Sequence, residues 1–283
     1  MSLSASAASL VWIATLPGVA HLPAAPFDGH RARLGRDVIG QAPAGTAAAQ
    51  TDREFFVSWG YNGDQFTKSD IHIRQPSLGN DFTLVGVQAR DSKAWTDLFN
   101  HALTVPQYNV RFGVFFNDRW GLEVALDHIK WIVREGQQVR MTGTLDGEPV
   151  DTSITLTPDV LRYQLNNGAN PIFVNLIRRV RLAGEPGRTG HLVFLAKAGG
   201  GFAVPHTENT VFGQPNDKGF QFFHGWDVDG VAAVRLHIFR PLYFEFEEKL
   251  VYARYFGVNV DQGTARHSVK ASEFTFSFGL AFR

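Results

Sequence analysis

Polar and apolar residues alternate one by one along much of the chain, and the stretch from Phe220 to Phe256 shows it most fully. In its first half Phe222, His224, Trp226, Val228, Ala232, Val234, Leu236 and Ile238 share one face, while Gln221, Gly225, Asp227, Asp229, Arg235 and His237 share the other. A period of two marks a β-strand, because successive side chains leave opposite faces of the pleat. Past Arg240-Pro241 the split resumes, with Phe244, Phe246, Leu250 and Tyr252 against Glu245, Glu247 and Lys249. Both runs exceed the usual length of a globular strand. Folding them into an antiparallel hairpin sets Arg235 opposite Glu247, or opposite Glu245 if the register moves by one pair. Either way a cation faces a carboxylate, which supports pairing.

The same alternation predicts strands near 54–62, 67–75, 81–91, 107–116, 120–133, 171–182, 190–202, 220–239, 242–256 and 271–283. Short connections at 75–80, 117–118, 183–189 and 240–241 alternate with mostly longer ones at 62–66, 92–106, 135–171, 204–219 and 257–269. Short turns at one end and long loops at the other are the pattern of a membrane barrel. The expected fold is therefore all-β, an antiparallel transmembrane β-barrel of about ten strands, with eight to twelve possible. The last segment points Phe274, Phe276, Phe278, Leu280 and Phe282 one way and Thr275, Ser277, Gly279 and Ala281 the other. Large apolar groups outside and small residues inside suit a curved wall around a crowded lumen. A soluble lipocalin-like barrel would alternate similarly, but the number of segments, the loop asymmetry and the charges on the polar face favour the membrane form. Glu248 and Arg254 fall on the lipid-facing side, where a mid-plane Arg or Lys costs about 2–4 kcal/mol and a Glu less. A bulge or a place near the rim is expected to accommodate them.

Residues 1–50, rich in Ala, Gly, Pro and Ser, contain LVWIATLPGVA, an apolar core followed by small residues. This segment reads as a signal-like, disordered leader, with cleavage after Gly18-Val19-Ala20 or Ala47-Ala48-Ala49, and residues 51–283 as the barrel domain. The longest apolar run, Leu10 to Leu16, is too short for a spanning helix. With 27 basic and 27 acidic residues the net charge is zero, so no nucleic-acid surface is implied. The absence of cysteine removes thiol catalysis, disulfides and thiolate metal sites together.

Ser58-Trp59-Gly60-Tyr61-Asn62, Thr67-Lys68-Ser69-Asp70-Ile71-His72, Asp81-Phe82-Thr83-Leu84, Arg111-Phe112-Gly113, Asn117-Asp118 and Asp127-His128-Ile129-Lys130 resemble an uncharacterised outer-membrane β-barrel family of Gram-negative bacteria. Pro205-His206-Thr207 and Glu247-Glu248-Lys249 with Tyr252 are thinner matches. The resemblance covers most of the chain after Gln50, and implies the outer membrane as location and a barrel as fold. It carries no catalytic residue with it. Outer-membrane lipid, lipopolysaccharide and the barrel-assembly machinery are the partners it implies.

Projecting the alternation inward predicts a charged lumen: Asp70, His72, Arg74, Arg111, Glu123, Asp127, Asp227, Asp229, Arg235, His237, Glu245, Glu247 and Lys249, with Arg179, Arg181 and Lys197 beside them. Side chains already fill a barrel of about eight strands, so mixed charges read first as a salt-bridged plug and second as a narrow polar passage. For catalysis the external loops offer Asp97, His101, His206, Glu208, His224, Asp227 and His267-Ser268, scattered and without triad spacing. His206 with Glu208 provides two ligand types at strand spacing, too few for a metal. Gly199-Gly200-Gly201 ends a strand and is no phosphate loop, so no cofactor is expected. The expected role is structural or that of a narrow small-solute channel, with a surface receptor or adhesin acting through external loops as the alternative and a rim hydrolase after it.

Overall fold

The computed structural model describes residues 53–92, 107–165, 168–186 and 188–283. Along the chain, β1 (Glu54–Phe66) climbs the wall, and the excursion after it holds β2 (Ser69–Gln75), β3 (Asn80–Val87) and β4 (Ala89–Arg90). β5 (Tyr108–Phe115) returns and β6 (Trp120–Asp127) climbs again. A second excursion holds β7 (Trp131–Val133), β8 (Gln138–Leu145), β9 (Glu148–Thr155) and β10 (Leu161–Leu165). β11 (Pro171–Ala183) and β12 (Leu192–Ala203) follow, then the hairpin β13 (His206–Val211) and β14 (Gln214–Phe220). β15 (Gly225–His237), β16 (Leu242–Val260) and β17 (Gly263–Phe282) complete the chain. The signal-like leader, Asp97 and His101 lie outside the described residues.

The wall runs β1-β5-β6-β11-β12-β15-β16-β17 and closes by pairing β17 with β1, from Phe55↔Phe282 to Phe66↔Ala271. All pairings are antiparallel. The closed ring thus has eight strands. The segments at 67–75 and 81–91, expected in the wall, are strands that leave it. The cause is a mismatch of length: β17 has 20 residues, and β1 covers its edge only from Ala271 onward. The free edge above is taken by β2, from Thr264↔Arg74 to His267↔Ile71. In the opening hairpin Arg235 pairs with Glu245 and His237 with Tyr243, the shifted of the two registers.

From β2 the sheet continues through β3 and β8 to β9, and a second sheet runs β14-β13-β10-β7-β4. One apolar cluster joins both sheets: Ile71, Ile73, Phe82, Leu84 and Met141 from the first, and Trp131, Leu161, Tyr163, Leu165 and Val211 from the second. The long connections are therefore a folded upper layer whose core continues into the top of the wall through Ala125, Phe173, Val251 and Ala253. Its β8–β9 hairpin turns on Asp146-Gly147 at φ 52° and 83°, the doubly positive geometry of a tight two-residue hairpin turn.

On the outside of the wall, large apolar side chains face away from any protein partner. Phe112 is 59% exposed, Phe246 61%, Leu250 65% and Phe274 53%, so this surface is no core. Leu122, Val124, Val174, Leu176, Val228, Val234 and Phe278 extend it around the ring. No helix among the described residues is long and apolar enough to cross a membrane.

Candidate functional site: the charged barrel interior

Inward-facing positions of the wall strands carry the opposite chemistry. Lys197 on β12 places Nζ 2.8 Å from Glu123 Oε2 on β6, 2.8 Å from Glu245 Oε1 and 2.5 Å from Glu247 Oε1 on β16. Arg111 on β5 donates from Nη1 to Asp127 Oδ1 at 2.5 Å and from Nη2 to Glu247 Oε2 at 3.0 Å. Arg235 donates Nε–H to its cross-strand partner Glu245, and its guanidinium lies 4.4 Å from the Phe56 ring centre and 4.1 Å from that of Tyr243. Lys249 bonds Asp127, with Asp229 and Glu273 at 4.0 and 3.9 Å. Thr275 Oγ1 donates to Glu247 Oε2 at 2.9 Å, and Ser277 Oγ to Asn109 Oδ1 at 2.8 Å, so hydroxyls fill what the charges leave.

Each of these charges has been taken from water, at a desolvation cost that only close partners offset. Arg111, Glu123 and Lys249 are 1% exposed and Lys197 3%, so side chains fill this part of the lumen. Close approach is built into the backbone: at Gly199 a Cβ would stand 2.1 Å from Asn175 Oδ1. At the short-turn end Glu54 accepts from Arg179 at 2.5 Å and from Arg283 at 2.8 Å, tying the chain's last residue to its first wall strand. Toward the upper layer the balance changes. Neither carboxylate oxygen of Asp227 or Glu273 accepts a hydrogen bond, and both residues are buried.

Of the lumen residues read from the sequence, Arg111, Glu123, Asp127, Asp227, Asp229, Arg235, Glu245, Glu247 and Lys249 come together inside the ring. His237 sits at its short-turn end, stacked on His191 with ring centres 5.2 Å apart. Asp70, His72 and Arg74 must be corrected: they lie on β2, outside the wall. There His72 Nε2 meets Asp81 at 2.7 Å, Arg74 lies 3.8 Å from Asp81, and Asp70 accepts Gly86 N–H at 2.7 Å. Arg181 is exposed and pairs with Glu185 at 3.3 Å. Sequence reasoning missed Glu54, Asn175 and Glu273; the polar face of the last strand, read as small residues only, held the signal for Glu273.

The external acid-base candidates do not converge. His206 faces Asp217 at 3.1 Å, Glu208 accepts from Gln164 at 2.9 Å, and His224 Nδ1 lies 2.9 Å from the Gly257 carbonyl. His267 is enclosed in the upper core between Trp131, 4.6 Å away at 19°, and Tyr255, 5.0 Å away at 11°. Burial there pushes its pKa down to about 3, so the ring is neutral at pH 7. Carboxylate oxygens of Glu123, Glu245 and Glu247 lie within 4.8 Å of one another, as a cation site would require, and the Lys197 ammonium occupies that position.

A closed ring with a filled, ion-paired interior and an exposed apolar exterior inverts the order of a water-soluble protein. The wall is a transmembrane β-barrel. No family model matches the chain, and no curated protein does. Among solved structures it is similar to Ail, the attachment invasion locus protein of Yersinia pestis, with 10% identity over 81% of this chain and 99% of that one, at a TM-score of 0.32. The outer-membrane protein OprG of Pseudomonas aeruginosa aligns with 14% identity over 81% of this chain and 96% of its own, at a TM-score of 0.36. Likeness of this order carries no argument about function; the unbroken register between β1 and β17 is what establishes the barrel.

Proposed function

We propose that the chain is an integral protein of the bacterial outer membrane whose barrel is a structural anchor, holding a folded β-layer above the bilayer, rather than a solute channel. The observation that supports this reading best is the packing of the interior: Lys197 contacts three carboxylates, and Arg111 and Lys249 converge on Asp127 with under 4% exposure each. An eight-stranded wall has an interior just wide enough for such side chains. The cations Arg111, Lys197, Arg235 and Lys249 each meet at least one carboxylate across the lumen, so side chains of the wall occupy the space a solute would need. The display surface is the upper layer, built by the three long connections on a core shared with the top of the wall. Surface recognition through that layer is the function class the architecture suits, as loops positioned by a rigid scaffold commonly carry binding.

Planar-bilayer recording tests the anchor against the channel. The purified wild-type protein is expected to insert without discrete conductance steps; reproducible single-channel steps from a preparation free of porins would refute the anchor reading. Fractionation tests the membrane assignment separately: the protein should require detergent for extraction.

A further inference from the structure

Above the apolar belt, on the outer face where β2, β17 and β16 meet, Lys68, Arg254, Arg266 and Lys270 line a hollow of about 470 Å³. The register brings them together, since Lys270 pairs with Tyr252, Arg254 with Ser268, and Arg266 with His72. Ser268 Oγ fixes two of the lining groups, with Arg254 Nη1 at 3.2 Å and Tyr252 OH at 3.3 Å. Asp70 also lines the hollow, but its Oδ1 is held by the Gly86 amide, and Asp81 is engaged by His72 and Arg74. Among the described residues none of the four cations has a carboxylate within salt-bridge distance, in contrast to Arg111, Arg179, Lys197, Arg235 and Lys249 of the interior, each of which does.

The height of the cluster is as telling as its charge. On β16 the next outward residue below Tyr252 is Leu250, and on β17 Phe274 lies two outward positions below Lys270. At about 3.3 Å per residue these are steps of roughly 7 and 13 Å along the strands, the distance from a lipid headgroup into its acyl region. Trp226 is Arg254's partner on β15 and lies 5.4 Å from the Tyr252 ring, placing an aromatic pair at the boundary where such rings favour the membrane interface. Elsewhere along the upper edge of the belt, Phe220, Phe222 and Phe223 are exposed.

We propose that this hollow binds the phosphate of an outer-leaflet lipid, with lipopolysaccharide as the expected molecule, while the lipid's acyl chains lie against Leu250 and Phe274. The proposal rests on the membrane reading above. Guanidinium and ammonium groups at the headgroup level attract anionic lipid, and two arginines can take phosphate oxygens in paired hydrogen bonds.

The test is native mass spectrometry of the full-length protein in a zwitterionic detergent, with added bisphosphorylated lipid A, the same lipid dephosphorylated, or inorganic pyrophosphate. The wild type should retain the phosphorylated lipid about tenfold better than the dephosphorylated one, and the quadruple variant K68Q/R254Q/R266Q/K270Q should lose about that factor. R140Q, outside the lining of the hollow and paired with Asp151, serves as the charge control and should bind as wild type. Equal retention of both lipids by the wild type would overturn the proposal. So would pyrophosphate binding as tightly as lipid, which would mark a free-anion site, or full retention by a quadruple variant that keeps its heat-modifiable band on a gel. If that variant fails to fold, the two-lipid comparison on the wild type still decides. Recovery of the protein without detergent would instead refute the membrane reading, a result the lipid comparison cannot mimic.

Discussion

Replacing Lys197 with methionine keeps the length of the side chain and removes the charge that holds three carboxylates together. Lys197 Nζ is within 2.8 Å of oxygens from Glu123, Glu245 and Glu247, and those oxygens lie within 4.8 Å of one another. After the substitution Glu245 keeps Arg235 and Glu247 keeps Arg111, but Glu123 retains only the Arg111 Nε at 3.9 Å. Breaking a buried ionic set by removing one member costs about 3–5 kcal/mol, because the remaining charge is left without water or partner. K197M should therefore unfold at markedly lower urea than wild type in detergent or liposomes, and its folded gel band should be lost at lower temperature. Adding E123Q removes the stranded carboxylate, so the double variant E123Q/K197M should recover most of the loss, a coupling of at least about 2 kcal/mol. Two results would refute the reasoning: K197M within about 1 kcal/mol of wild type, or a double variant no more stable than the single. Either would mean that water reaches these groups and that the lumen is less filled than its geometry indicates.

Glu248 faces outward between Phe246 and Leu250, and accepts a hydrogen bond from Ser272 Oγ at 2.6 Å. E248L should raise the stability in liposomes by about 1 kcal/mol, since a carboxylate on the lipid face is unfavourable; a loss of stability would indicate a partner that uses it. For His267 the sign follows from a pKa pushed down to about 3 in the folded chain against the ordinary 6.5. Below pH 6.5 the unfolded chain takes up a proton that the folded one refuses, so stability present above that pH is lost as it falls toward 3. Protection factors at Ile71 and Ile73, corrected for the intrinsic pH dependence of amide exchange, should fall over this window in the wild type and much less in H267F, which keeps an aromatic ring between Trp131 and Tyr255; identical protection profiles would exclude His267 as the cause.

The alternation of residues carries the wall, its inward charges and its apolar exterior, because one buried and one exposed face per strand is a local property. It does not say against what each face is buried. Ile71, Ile73 and Phe82 alternate as well as any wall residue, yet they face the core of the upper layer, and His72 and Arg74 turn outward beside them. Which strands close the ring depends on where β1 ends along β17, a long-range match invisible to any window of sequence. The 135–171 connection is different, since its structure was legible: Asp146-Gly147 between the alternating runs of β8 and β9 is a strong local hairpin signal. Lys197 was legible as an inward residue, but not its three partners, which come from strands some fifty and seventy positions away. The orientation of Arg254 is that of a lipid-facing position, and the length of β16 lifts it above the belt.

One strand serves two structures: the lower part of β17 is the seam partner of β1, and its upper part is the edge on which β2 begins the outer sheet. Ring closure and the attachment of β2 therefore both depend on the same twenty residues of β17. Without that strand β1 and β2 would each present an unpaired edge, the kind of surface on which chains join one another by mistake. A single strand thus protects two edges at once, so damage to its pairing would expose the wall and the outer sheet together.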